Sequence, residues 1–168
     1  MRYGQIRQYD VANGPGIRTS IFVTGCRHHC PDCFNLDYQD FQAGDPWTDQ
    51  ETRILISYLQ DDLVQGLTIL GGEPFEHCQA LSRLLEEIKQ EVDKEIWIYS
   101  GFLYEDLVQD PQARTLLSLC HVLVDGPFIR EKKDLSLRFR GSSNQRIIDL
   151  KKSLGSDQVY LWDEGADH

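Results

Sequence analysis

The sequence contains no run of about 18 consecutive apolar residues, the length that a membrane-spanning helix requires. Its opening stretch, Met-Arg-Tyr-Gly-Gln-Ile-Arg-Gln-Tyr-Asp, lacks the apolar core of a secretion signal. Basic residues are also scarce, since 17 lysines and arginines stand against 27 aspartates and glutamates and the formal net charge is -10. Binding to a phosphate backbone relies on basic side chains that displace counterions. We therefore expect a cytoplasmic protein with neither a membrane nor a nucleic acid as a partner.

No internal repeat and no low-complexity tract divides the chain. Its 168 residues match the size of one domain, and a hydrophobic content of 40% is enough to build a core. We therefore predict a single domain over residues 1–168.

Short apolar runs alternate with amphipathic segments along the chain. Strands are predicted over residues 18–24, 67–70, 95–99 and 122–124, with further candidates over 145–150 and 158–162. Helices are predicted over residues 48–64, over a segment that contains 81–88, and over 103–119 with an interruption at Pro111. Thr48 and Glu51 match a capping box at the start of the first helix. This alternation indicates an α/β fold with parallel strands and both faces of the sheet covered.

Four polar or glycine-rich segments follow predicted strands, at residues 25–35, 71–74, 99–101 and 125–127. In parallel α/β folds, binding sites lie at the carboxyl ends of the strands. We therefore expect these four segments to meet at one mouth.

Three of the five cysteines, Cys26, Cys30 and Cys33, fall within one short segment with the spacing C-x3-C-x2-C. Such grouping is more typical of metal binding or redox chemistry than of a disulfide framework. Three thiolates can hold three corners of a 4Fe-4S cluster and leave the fourth iron without a protein ligand. Cys78 and Cys120 have mostly apolar or helical surroundings and are predicted to be buried thiols without a ligand role.

Other interpretations of the three cysteines stay open at this point. A structural zinc site would recruit His28 or His29 as a fourth ligand, but zinc sites usually draw on two separated pairs of ligands, and the sequence has no second pair. A redox relay and a chance grouping are further alternatives. Both histidines are expected to be loop residues near the cysteines rather than ligands.

The cysteine segment followed by Phe34 resembles the signature of the radical S-adenosylmethionine (SAM) superfamily. Within it, the chain resembles the activating proteins of anaerobic ribonucleoside-triphosphate reductase over residues 10–150. The segments that carry this closer resemblance are Asn13-Gly14-Pro15-Gly16-Ile17-Arg18, Gly71-Gly72-Glu73-Pro74, Val124-Asp125-Gly126-Pro127-Phe128 and Arg140-Gly141-Ser142-Ser143-Asn144-Gln145-Arg146.

The resemblance implies one 4Fe-4S cluster per chain on Cys26, Cys30 and Cys33, with SAM chelating the fourth iron. An electron passed through the cluster would cleave SAM to methionine and a 5'-deoxyadenosyl radical. That radical would take a hydrogen atom from a glycine of the large subunit of the reductase, and an unidentified one-electron donor would supply the electron. Because the cofactors carry this chemistry, no side-chain acid or base is expected.

The resemblance also implies a partial, open (β/α) barrel and a set of SAM contacts. A full barrel of eight units typically needs ~250 residues, whereas a barrel open on one side suits a protein substrate. Two adjacent glycines let the backbone approach the methionine end of SAM, and Phe34 would lie near the adenine. The implied contacts are Asp32, Cys33, Phe34, Gly71, Gly72, Glu73, Ser100 and Asp125.

Residues 130–152 contain eight basic and three acidic side chains, a local net charge of +5 in an acidic chain. This asymmetry indicates either a docking face for an acidic partner or an ordinary solvated surface. Two other functions remain as alternatives: an activase of another glycyl-radical enzyme, and a zinc-stabilised binding module.

Overall fold

A seven-stranded sheet forms the centre of the molecule, and the computed structural model describes residues 1–164. The strand order across the sheet is β3-β1-β2-β4-β5-β6-β7. The strands are β1 (Arg2–Asp10), β2 (Arg18–Val23), β3 (Asp45–Pro46), β4 (Gly66–Gly71), β5 (Glu95–Tyr99), β6 (Val122–Asp125) and β7 (Arg146–Asp149). The helices are α1 (Asp49–Leu59), α2 (Cys78–Glu91), α3 (Tyr104–Leu107), α4 (Pro111–Ser118) and α5 (Leu150–Leu154).

The four central strands, β2, β4, β5 and β6, run parallel, and antiparallel strands flank them on both sides. The predicted mixed α/β class is thus confirmed, together with the four predicted parallel strands. The candidate strand at 145–150 is β7, whereas the candidate at 158–162 contributes a single antiparallel bridge between Leu161 and Ile148. The sequence did not predict β1 and β3.

Two predicted helices differ from the observed ones in their bounds. The capping box at the start of α1 is present, with the Thr48 N–H donating to Glu51 Oε1 at 2.7 Å, but α1 ends at Leu59 rather than at residue 64. The predicted helix over 103–119 is two helices, because Pro111 opens α4 and the Asp110 side chain caps it through Gln112 N at 3.0 Å. Proline suits the first turn of a helix, where its missing N–H costs nothing.

The helices pack on one face of the sheet. Alternate strand residues, among them Ile21, Ile69 and Ile98, are fully buried in a core with residues of α1 to α5. Side chains in a strand alternate between faces, so the intervening residues form the opposite face, where Trp97, Val122 and Val124 pack with Phe139 and Trp162. Both faces of the sheet are covered, as predicted, but helices cover only one of them. Loops cover the other face and enclose a cavity there. Within residues 1–164, no helix is long and apolar enough to cross a membrane.

Candidate functional site

A cavity of about 440 Å³ lies on the face opposite the helices, at the carboxyl ends of β2, β4 and β5. Its wall is built from the cysteine loop (residues 25–35), the strand ends and a long loop over residues 126–145. Seven of the predicted site residues line this cavity: Cys26, Cys30, Cys33, Phe34, Gly71, Gly72 and Ser100. The polar segments that follow successive strands therefore meet at one mouth.

Cys26, Cys30 and Cys33 are free thiols on the wall of this cavity. Cys26 is buried and the other two are partly exposed. Burial raises the pKa of both Cys26 and Cys30, so these thiols stay protonated until a metal offsets the cost of the thiolate. Three sulfur donors around one cavity fit the ligand chemistry of an iron-sulfur cluster.

No group of three His, Cys, Asp or Glu side chains within residues 1–164 is placed to hold a single metal ion. A 4Fe-4S cluster makes a different demand, because each thiolate binds a separate iron.

The start of the cysteine loop pairs with the segment that follows the loop, and the backbone turns sharply in between. Gly25 N donates to Tyr38 O at 2.8 Å and Cys26 N donates to Gln39 O at 3.0 Å. Between these ties, His29 (φ 52°) and Asp32 (φ 56°) have left-handed backbone conformations. The loop thus changes direction at two points, and its three cysteines all line the cavity.

The Gly71-Gly72-Glu73-Pro74 segment joins the sheet to the cysteine loop. Gly71 has a φ of 117°, which a residue with a side chain rarely adopts. Gly72 N donates to Val23 O and Glu73 N donates to Gly25 O, both at 2.8 Å. The sequence explained these glycines by the approach of a ligand, but close packing against β2 and the cysteine loop also requires them.

Glu73 is buried, with an exposed fraction of 0%, and does not line the cavity. Its Oε1 lies 2.6 Å from Nε2 of His28, and its carboxylate also accepts from Ser100 and from Gly101 N. The hydrogen bond to Glu73 raises the pKa of His28 above its ordinary value. The carboxylate thus connects the cysteine loop to the end of β5.

Asp125 and Asp32 also lie outside the cavity wall. Asp125 is fully buried, and its carboxylate accepts from Tyr104 N at 2.8 Å and from the Arg146 guanidinium at 2.6 and 3.0 Å. Asp32 is exposed on the cysteine loop, where Arg130 lies 3.7 Å away. The three acidic residues predicted to contact SAM are therefore engaged by groups of the protein.

Sequence reasoning missed the part of the cavity that β1 and the loop after it supply. Arg7 lines the cavity and lies over the ring of Phe22 at 5.0 Å. Asp10, which is buried, holds the loop after β1 by accepting from Asn13 Nδ2 and Ala12 N, both at 2.8 Å. The signal in the sequence is the Asn13-to-Arg18 segment, which carries part of the family resemblance.

The Arg140-to-Arg146 segment is braced by its own side chains. Gln145 Oε1 accepts from Gly141 N at 2.9 Å and from Ser142 N at 3.1 Å, and Asn144 Nδ2 donates to Pro127 O at 2.8 Å. This bracing holds the ring of Phe128 at 4.9 Å from that of Phe34. The segment therefore shapes the cavity wall beside the cysteine loop.

Cys78 and Cys120 are buried away from the cavity, as predicted. Burial raises the pKa of Cys78 to about 11 and that of Cys120 to about 12. Both are therefore protonated at neutral pH.

Comparison with known proteins places the chain among iron-sulfur proteins. The family model described as a 4Fe-4S single cluster domain matches residues 12–148. A protein of Haemophilus influenzae is 40% identical over 156 residues, which cover 90% of this chain and 99% of that protein. A protein of Escherichia coli K12 is 35% identical over 90% of this chain and 100% of its own length, and one of Vibrio cholerae is 38% identical over 88% and 97%. Each of these three relatives is named anaerobic ribonucleoside-triphosphate reductase-activating protein.

Proposed function

Because the chain belongs to the family of anaerobic ribonucleoside-triphosphate reductase-activating proteins, we propose that it generates a glycyl radical on the large subunit of such a reductase. The observation that carries this proposal is the placement of Cys26, Cys30 and Cys33 around one cavity at the carboxyl ends of the parallel strands. The names of the relatives favour this function over activation of another glycyl-radical enzyme and over a zinc-stabilised module.

A 4Fe-4S cluster and SAM supply the radical chemistry. Cys26, Cys30 and Cys33 would hold the cluster, and the cluster together with SAM would supply, from a one-electron donor, the radical that removes a hydrogen atom from the glycine. The protein's task is to bind, orient and shield these groups. No side chain is assigned the role of a general acid or base.

The cavity offers SAM backbone and side-chain groups from three sides. We assign contacts with SAM to the five predicted residues that line the cavity, Cys33, Phe34, Gly71, Gly72 and Ser100. We also propose that the backbone of Asp32 contacts SAM. Asp125 holds Arg146 and the start of α3, so it acts on the site by fixing the surrounding loops.

The reductase must reach the cavity from outside. The exposed residues beside it include the apolar Phe34 and Leu135, the basic Lys133 and the acidic Asp134, and Leu135 is 81% exposed. The segment over residues 130–152, which contributes most of this rim, has a local net charge of +5. We propose that this rim receives an acidic surface of the reductase with its glycine-bearing loop, and that the sheet is a partial barrel open on this side. Free thiols and iron-sulfur ligation are typical of reducing compartments, which supports the cytoplasm as the location.

The direct test is reconstitution with iron and sulfide in the absence of oxygen, followed by reduction and addition of SAM. We expect 5'-deoxyadenosine and methionine from the wild type, and a glycyl radical signal in electron paramagnetic resonance (EPR) once the reductase is added. Cys30→Ala should abolish all three. Cys78→Ala is the matched control, since Cys78 is a buried thiol outside the cavity. Absence of iron uptake, with zinc bound to protein purified without oxygen, would overturn the proposal.

A further inference from the structure

The Glu73 carboxylate is surrounded by donors of the protein itself. Oε1 meets His28 Nε2 at 2.6 Å and Gly101 N at 2.7 Å. Oε2 accepts from Phe75 N at 3.0 Å, and the Ser100 hydroxyl lies 3.0 and 3.1 Å from the two oxygens. An ionised carboxylate offers about four lone-pair positions. The four donors occupy these positions, so the carboxylate binds groups of the protein itself and is not available to a ligand.

His28 occupies a closely fitted position between Glu73 and the end of β5. Its ring lies edge to face against Phe102, with 4.4 Å between the centroids, and its side chain is 18% exposed. A Cβ at Gly101 would come within 2.7 Å of ring atoms of His28. The glycine at position 101 therefore makes room for the histidine.

The other ion pairs of the cysteine loop involve loop side chains that are exposed. They join Arg27 to Glu76 at 3.2 Å and Asp32 to Arg130 at 3.7 Å. Exposed ion pairs contribute about 0–1 kcal/mol. Within residues 1–164, the hydrogen bond of His28 with Glu73 differs from these ion pairs, because His28 is mostly buried and the Glu73 side chain is fully buried.

We propose that His28 and Glu73 anchor the cysteine loop, so that Cys26 and Cys30 keep their positions for the cluster, and that Glu73 acts through this contact rather than by binding SAM. His28 lies between the first two cysteines, so fixing it restricts both sulfurs. Ser100 and Gly101 share the same carboxylate, which couples the loop to the cavity wall. His28 and Glu73 are thus positioning residues, and partners of this kind tune metal ligands without touching the metal. The inference rests on the proposed function, since an anchor for ligands requires a cluster to bind.

The test compares the retention and spectrum of the reconstituted cluster in single variants. We expect His28→Ala to lose iron to a ferrous chelator about 10-fold faster than the wild type, at the lower end of the loss in metal affinity that follows removal of a group that orients metal ligands. The EPR spectrum and the midpoint potential of its reduced cluster should also change. His28→Gln keeps an N–H donor for Glu73 and should recover most of the retention and the spectrum. His29→Asn is the matched control, because His29 is exposed and has a left-handed backbone that asparagine tolerates.

A double-mutant cycle separates an anchor from a direct contact with SAM. If His28 and Glu73 act as a unit, the two substitutions should not add. The double variant His28→Ala with Glu73→Gln should then lose iron no faster than the single variant that loses iron faster. Weakened SAM binding in Glu73→Gln with unchanged cluster retention would overturn the proposal. Equal rates of iron loss in wild type and His28→Ala would overturn the anchor alone, whereas failure of the wild type to take up a cluster would overturn the proposed function as well.

Discussion

The two faces of the central sheet are made from alternate residues of the same strands, yet they differ in chemistry. In β4, Ile69 is fully buried against the helices, whereas its neighbour Leu70 lines the cavity. In β2, Ile21 belongs to the helix-covered core and Phe22 to the cavity. Alternation along a strand thus separates the residues that stabilise the fold from those that shape the site.

The cavity face is itself divided along the strands. Near the amino ends of the parallel strands, the buried Arg18 donates to Thr68 Oγ1 at 2.8 Å and to the carbonyls of Leu67 and Glu95, both at 3.1 Å. Its guanidinium also lies 5.6 Å from the ring centre of Trp97. Near the carboxyl ends, the same face opens into the cavity. One end of this face is therefore closed by a polar network, and the other end is free for a cofactor.

The largest effect should come from breaking that polar network. Arg18→Met removes a buried cation and leaves the Leu67 and Glu95 carbonyls without their donor, so we expect the free energy of unfolding to fall by about 3–5 kcal/mol. Denaturant unfolding of the cluster-free protein measures the change. Arg53→Met, at an exposed position of α1, is the control and should stay within about 0.5 kcal/mol of the wild type. A loss below about 1 kcal/mol for Arg18→Met would show that this end of the face is not a structural element.

Substitutions at two neighbouring positions of β4 test whether the two faces of the sheet differ in function. Ile69→Ala should lower the free energy of unfolding by about 2–5 kcal/mol and leave SAM affinity unchanged in the reconstituted protein. Leu70→Ala should cost less stability, because its side chain already borders the cavity, and should weaken SAM binding. Unfolding curves and calorimetric titration with SAM check both variants. If the two variants lose affinity equally, the faces are not functionally distinct.

Local patterns in the sequence were enough to predict the parallel strands, the capping box of α1 and the meeting of four segments at one mouth. These features depend on short-range periodicity and on a general property of parallel sheets. β1 was missed because it carries mainly polar residues and few apolar ones. Its place in the sheet comes from pairing with β2, which no local pattern reveals.

The carboxylates of Glu73 and Asp125 have partners within the protein that their sequence motifs do not reveal. The resemblance to the radical SAM superfamily implied that Glu73 and Asp125 contact SAM. In the structure, Glu73 meets His28 and Ser100, and Asp125 meets Arg146 across the antiparallel pair of β6 and β7. These partners lie far away in the sequence, so their positions follow only from the complete strand order and register.

The rim of the cavity should affect binding of the partner without affecting stability. Leu135→Ser exchanges an exposed leucine, so the free energy of unfolding should change by less than about 0.5 kcal/mol. Its affinity for the reductase should fall about tenfold, equal to about 1.4 kcal/mol, if Leu135 is part of the docking surface. Leu63→Ser is the matched control, because Leu63 is also exposed but does not line the cavity. Equal affinities of the two variants, measured with the purified reductase, would place the docking surface elsewhere.

The smallest effect concerns pH and the amino end of β6, away from the cavity. His121 Nδ1 accepts from Ile96 N at 3.0 Å, which requires an unprotonated nitrogen. Burial lowers the pKa of His121, and the nearby Lys89 and Lys151 lower it further, against the opposing charges of Glu95 and Asp93. Since an unfolded histidine titrates near pH 6.5, the unfolded chain takes up this proton first as the pH falls. The contribution of His121 to stability is therefore complete above about pH 6.5 and decreases below it.

A titration of stability against pH isolates this histidine from the others. In His121→Gln, the side-chain oxygen can still accept from Ile96 N, but the residue does not titrate. The difference in unfolding free energy between wild type and variant should therefore be constant from pH 8 to about pH 7 and shift against the wild type as the pH falls towards about 5.5. The other histidines are present in both proteins and cancel in the difference. Because His121 lies away from the cavity wall, the absorbance of the reconstituted cluster at neutral pH should be the same in both proteins. A difference that stays constant down to pH 5.5 would mean that His121 titrates normally in the folded chain, and that the helix-covered face tolerates a charge at this position.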